Sequence, residues 1–201
     1  MYKFSKYIST ILHPILLPTI ATLFFFIVAP YGYPLRQIYV VSGFVFLSSY
    51  IFPLLLLVLF KNLKIISNFE IHNLKERKIP VLSFLIISLL IGKILFNLPH
   101  LKLLSILFLG CFLALSIIYL LLHLNFKTSL HLTGVGGFTA FIVLLSLYYN
   151  LNLIYLIALL LFFNGLLATA RLILKAHTPK ELIIGFFTGI GSVSLIAYLV
   201  L

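Results

Sequence analysis

The side chains best suited to chemistry gather in residues 170–185, ARLILKAHTPKELIIG. Thr178-Pro179-Lys180-Glu181 is a helix start, with Thr178 as N-cap, Pro179 as the first helical residue and Glu181 as the capping-box partner. His177 therefore stands just before a helix N-terminus, where unpaired backbone N–H groups and the helix dipole favour an anion. Arg171, six residues earlier, can reach the same region and grip a phosphate with two N–H donors at once. A second histidine has a similar setting. In Lys127-Thr128-Ser129-Leu130-His131, Ser129 reads as the N-cap of another helix. Two imidazoles, two helix N-termini and several cations suit the handling of a phosphate, provided the fold gathers them.

Whether it does depends on the elements that carry them. Of 201 residues, 63% are hydrophobic and 8% charged, and the mean hydropathy is +1.27. A soluble domain carries about 25% charged residues. Lipid must therefore be the solvent for much of this surface, and in lipid only helix bundles or closed barrels satisfy the backbone. Barrel strands would alternate polar and apolar residues, whereas these runs are apolar throughout. Apolar runs near 10–29, 38–60, 80–96, 103–123, 132–149, 153–170 and 180–200 predict seven spans, or six if the short third run with Lys93 is re-entrant. The expectation is an all-α, polytopic transmembrane helix bundle forming one domain over residues 1–201. The first run is too long for a cleaved signal peptide, lacks a small-residue cleavage site, and is expected to stay as a span.

Seven crossings return the N-terminus, 61–79, 124–131 and 171–179 to one face. That face holds Lys3, Lys6, Lys61, Lys64, Lys75, Arg77, Lys78, Lys127, Arg171, Lys175 and Lys180; the opposite face holds Arg36 and Lys102. Lys/Arg bias marks the cytoplasmic side, so the histidine-bearing face is expected there, in a cytoplasmic (bacterial inner) membrane. The net charge of +11 is then orientation and headgroup charge, and no nucleic-acid partner is expected.

Other chemistries find little support. The carboxylates are Glu70, Glu76 and Glu181, with no Asp, which excludes most paired-carboxylate and two-metal schemes. HExxH is missing, so a zinc metalloprotease is not expected. Gly134, Gly136 and Gly137 follow no strand and precede no Gly-Lys-Ser/Thr, so close helix packing accounts for them. Cys111 reads as a small residue facing lipid or core, and His13, His72, His100 and His123 as interfacial or satisfied within helices.

Against this background the chain resembles the type 2 phosphatidic acid phosphatases (PAP2) over about residues 75–190. Their third motif is S-R, five residues, H, three residues, D; here Ala170-Arg171 is followed at those spacings by His177 and Glu181. Their second motif, P-S-G-H, is met by Thr128-Ser129-Leu130-His131. Their first, K, six residues, R-P, is met only by Lys75-Glu76-Arg77-Lys78-Ile79-Pro80, with different spacing. The resemblance implies a PAP2-like core and a metal-independent lipid phosphatase that hydrolyses a lipid phosphomonoester or diphosphate. It implies His177 as the nucleophile forming a phosphohistidine, Glu181 as its orienting carboxylate and His131 as general acid. Arg171, Ser129, Arg77 and Lys78 would bind the phosphate. Ala170, Thr128 and Leu130 depart from the motifs and motivate an alternative, a non-catalytic lipid-phosphate binding or transport protein.

Overall fold

The computed structural model describes residues 1–69, 71 and 73–201; Glu70 and His72, each weighed from the sequence, lie outside the described residues. Among the described residues the chain is helical, with no strand: α1 (Tyr2–Ile11), α2 (Leu17–Val28), α3 (Leu35–Phe46), a π turn (Leu47–Ile51), α4 (Phe52–Asn62), α5 (Leu74–Phe96), α6 (Lys102–His123), α7 (Leu130–Tyr148), α8 (Ile154–Ile173) and α9 (Pro179–Val200). Among the described residues six helices are long and apolar enough to cross a membrane: α5 to α9, and the continuous 28-residue helix Leu35–Asn62. The protein is a polytopic membrane helix bundle.

The expected first span departs from expectation. Prolines break it: α1 ends at Ile11 ahead of Pro14, and α2 starts at Leu17 with Pro18 in its first turn. Its 12 residues cover about 18 Å, short of the roughly 30 Å hydrocarbon core. Even so, this stretch reaches both ends of the bundle. The His13 ring meets His131 at the start of α7, with centroids 5.1 Å apart. At the other end the Tyr33 hydroxyl donates to the carbonyl of His100, in the α5–α6 turn, at 2.8 Å. Irregular flanks thus extend α2 across the depth that α7 spans. The third run, by contrast, is part of a full 23-residue helix, capped by the Asn73 side chain accepting from the Lys75 N–H. It is therefore the first run, and not the third, that falls short. The π turn lies just ahead of Pro53, which cannot donate to the helix ladder; such turns absorb a local mismatch of this kind.

Helix ends set where the polar residues emerge. At the end of α8 the Lys175 N–H bonds the Leu172 carbonyl and the Ala176 N–H bonds the Arg171 carbonyl, with Lys175 left-handed at φ 51°. This is a Schellman stop. It turns the chain at once, so Arg171 in the last turn of α8 and His177 before α9 come to the same end. Asn125 closes α6 in the same way, at φ 57°, with the Phe126 N–H on the Leu121 carbonyl. The starts of α7 and α9 are then pressed together through glycines. A Cβ at Gly185 would lie 2.7 Å from the Ser129 carbonyl oxygen, and one at Gly189 would overlap the Thr133 carbonyl. Gly136 likewise lies against Phe186, and Gly137 against Gly189 and Val193, as expected for close helix packing. The main core lies between α2, α3, α5, α6, α7 and α9, around Phe25, Phe108 and Phe141. Tyr155, Phe162, Phe187 and Leu199 stay exposed, as a lipid-facing surface requires.

Candidate active site

A cavity of about 420 Å³ opens at the end of the bundle where α7 and α9 begin. Its outer wall carries His131, His177, Arg77, Lys127 and Arg171, together with Ser9 and His13 from the N-terminal segment. Its inner wall is apolar, with Phe84, Ile91, Phe108, Cys111 and Val193. One end can hold an anion while the other holds a hydrocarbon chain.

His177 is almost fully buried, its side chain 2% exposed, and its Nδ1 lies 2.7 Å from Glu181 Oε2. A carboxylate accepts only, so Nδ1 carries the proton and Nε2 keeps its lone pair. Burial holds the His177 pKa down at about 4; hydrogen bonding to Glu181 opposes this, and the charges of Lys127, Arg171 and Arg77 add to it. The imidazole is therefore neutral at pH 7. The same Oε2 accepts from the Thr178 N–H at 3.4 Å, while Thr178 Oγ1 accepts from the Glu181 N–H at 3.4 Å. One carboxylate oxygen thus serves both the capping box and the histidine, two duties that compete on the sequence alone.

His131 sits in the first turn of α7, and the cap of that helix is Ser129, whose hydroxyl accepts from the Leu132 N–H at 3.4 Å. The His131 Nε2 faces the carbonyl oxygen of Ser9 at 3.2 Å, and its ring meets the edge of His13. The positive charge of Arg171 also acts on it. The two histidines therefore share one cavity, although 46 positions separate them in the chain.

Besides Lys6 on α1, the cavity's cations come from three elements. Arg171 NH1 donates to Ser9 Oγ at 2.7 Å. Lys127 Nζ donates to the Ala176 carbonyl at 2.8 Å and so ties the α6–α7 loop to the α8–α9 loop. Burial lowers the Lys127 pKa, and the charges of Arg77 and Arg171 push the same way against Glu181. Arg77, in the first turn of α5, donates through Nε to the Ile71 carbonyl at 2.8 Å. Converging cations of this kind stabilise a phosphate or its transition state.

Of the residues singled out from the sequence, His177, His131, Arg171 and Arg77 line this cavity, and Glu181 backs His177. Ser129 is buried with its hydroxyl committed to capping, outside the cavity wall. Lys78, one position past Arg77 and about 100° round the helix, also lies outside that wall. Sequence reasoning missed Lys127, His13 and Ser9 as wall residues. His13-Pro14 inside an apolar run was a usable signal, since an ionisable group there marks function; Ser9 offered none. Among the described residues no three His, Cys, Asp or Glu side chains are gathered to hold a metal ion. Comparison with protein-family models, curated proteins and solved structures gives no match for this chain.

Proposed function

We propose that this protein is a membrane phosphatase of the PAP2 type, acting on a lipid phosphomonoester or diphosphate at the bilayer surface. The observation that carries the reading is a buried, neutral His177 held by Glu181, in a cavity also walled by His131, Arg77, Lys127 and Arg171. The lipid phosphate docks against Arg77, Lys127 and Arg171, and its tail follows the apolar wall toward Phe108 and Val193. His177 Nε2 attacks phosphorus, a P–N bond forms, the P–O bond to the lipid breaks, and His131, carrying a second proton on Nδ1 once the anionic phosphate is bound, gives that proton to the leaving oxygen. Glu181 stabilises the imidazolium as it forms. Water, losing a proton to His131, then attacks phosphorus; the P–N bond breaks and inorganic phosphate leaves.

The Lys/Arg-rich end faces the cytoplasm in this reading, and a reporter fused to Leu201 is then external. A cytoplasmic reporter signal reverses the orientation. The second reading, a lipid-phosphate binding or transport protein, draws on the His131 Nε2 contact with a backbone carbonyl and on the departures at Ala170, Thr128 and Leu130. Phosphate release from the detergent-solubilised protein, across a panel including phosphatidic acid, phosphatidylglycerophosphate and polyprenyl diphosphate, separates the two. Release by wild type and its loss in His177→Ala and His131→Ala supports the enzyme. Equal background rates in wild type and His177→Ala overturn it.

A further inference from the structure

Ser9 behaves unlike the other helical hydroxyls of its own helix. Ser5 Oγ donates back to the Met1 carbonyl at 3.1 Å, and Thr10 Oγ1 to the Lys6 carbonyl at 2.9 Å. Such back-bonding is the local default for Ser and Thr in helices. Ser9 Oγ instead accepts from Arg171 NH1, 162 positions away, at 2.7 Å. It is buried and lines the cavity. A hydroxyl has one proton to give and two lone pairs to receive with. Arg171 takes a lone pair. His131 Nε2 is 3.2 Å from the Ser9 carbonyl and 3.5 Å from its hydroxyl. A carbonyl only accepts, so the closer contact puts the His131 proton on Nε2 and leaves that nitrogen no lone pair for the Ser9 hydroxyl. The hydroxyl proton is then available to the cavity, beside a guanidinium and an imidazole.

We propose that Ser9, carried in by α1, is a phosphate ligand of this cavity, donating to an oxygen of the anion that Arg171 holds. The proposal rests on the phosphate-binding reading of the same site and does not need catalysis. It also gives α1 a purpose. A helix of 10 residues is marginal alone, and this one is anchored by Ile8 and Leu12 against the cluster of Leu17, Leu132 and Leu167.

The test uses the full chain in detergent, with inorganic phosphate as the probe, titrated by calorimetry and ³¹P NMR. Ser9→Ala should raise the phosphate Kd by about tenfold, the usual effect of losing one hydrogen bond to a charged group. Ser9→Thr keeps the hydroxyl and should stay within about threefold of wild type, which rules out a general folding defect as the cause. Phosphate binding by Ser9→Ala as tight as wild type overturns the proposal, and so does equal weakening in both variants. Ser9-dependent phosphate binding without hydrolysis of any lipid phosphate upholds this proposal and overturns the enzyme. Hydrolysis with an unchanged kcat/KM in Ser9→Ala does the reverse.

Discussion

The N-termini of α7 and α9 lie side by side and each presents a histidine, yet the two imidazoles are held by different partners. His177 has a carboxylate on Nδ1 at 2.7 Å, whereas His131 has a neutral backbone carbonyl on Nε2 at 3.2 Å. A carboxylate orients a ring and also stabilises the positive charge that appears when the far nitrogen bonds to phosphorus. A carbonyl orients a ring and does little for its charge. Two similar helix starts can therefore divide the work, one ring forming a covalent bond and the other moving protons. In the proposed phosphatase the partner, rather than the histidine or its place on the helix, decides the role.

The sharpest break in this comparison is removal of each ring in turn. His177→Ala should lower lipid phosphate hydrolysis by roughly 10³-fold or more and yield no phosphoenzyme from any substrate. His131→Ala should lower it by about 10²- to 10⁴-fold, the usual worth of a general acid, but by much less on an aryl phosphate whose leaving group needs no proton. On that probe phosphoenzyme should accumulate, because water attack is now slow. Equal losses on both substrates would erase the division of roles.

Glu181→Gln should cost roughly 10²- to 10⁴-fold in kcat with KM little changed. The amide keeps an oxygen for the Thr178 N–H, so the melting temperature should stay within a few degrees of wild type, which calorimetry checks. A variant active at the wild-type rate would reduce Glu181 to a helix cap.

The smallest effect concerns pH. In the proposed mechanism His177 must be neutral to attack, and it gains a proton only as pH falls through about 4. The acid limb of kcat/KM that belongs to this ring should therefore lie near 4 and not near 6.5, the ordinary histidine value. Lys127 lowers that pKa, so Lys127→Met should move the limb upward. The ionisation of the substrate is common to both proteins, and only the difference between their profiles matters. An unmoved limb would mean that Lys127 does not act on His177.

The helical class and the helix starts at 129 and 178 were legible because local rules govern them: apolar run length and N-cap chemistry. The pairing of His177 with Glu181 came from the motif resemblance, and local rules offered only the capping box. The gathering of residues 77, 131, 171 and 177 at one end followed from counting crossings. What stayed hidden depends on packing between distant segments. Pro14 and Pro18 mark a break within 10–29, but nothing in its apolar pattern says that irregular flanks still carry it across. No local rule places Ser9 against Arg171 or His13 against His131, since α1 is positioned by apolar contacts with α8 and α7. Lys127 looked like a headgroup charge until its bond to the Ala176 carbonyl drew it inward. Arg77 and Lys78 were indistinguishable in composition, and only helix phase separates them.

The most direct test of the account is to trap the covalent intermediate. Wild-type protein would be mixed with a ³²P-labelled lipid phosphate, quenched in base within milliseconds, digested and mapped by mass spectrometry. The account predicts an acid-labile, base-stable phosphoryl group on His177 that is missing in His177→Ala. Turnover with no labelled protein, or with the label on another residue, would contradict it.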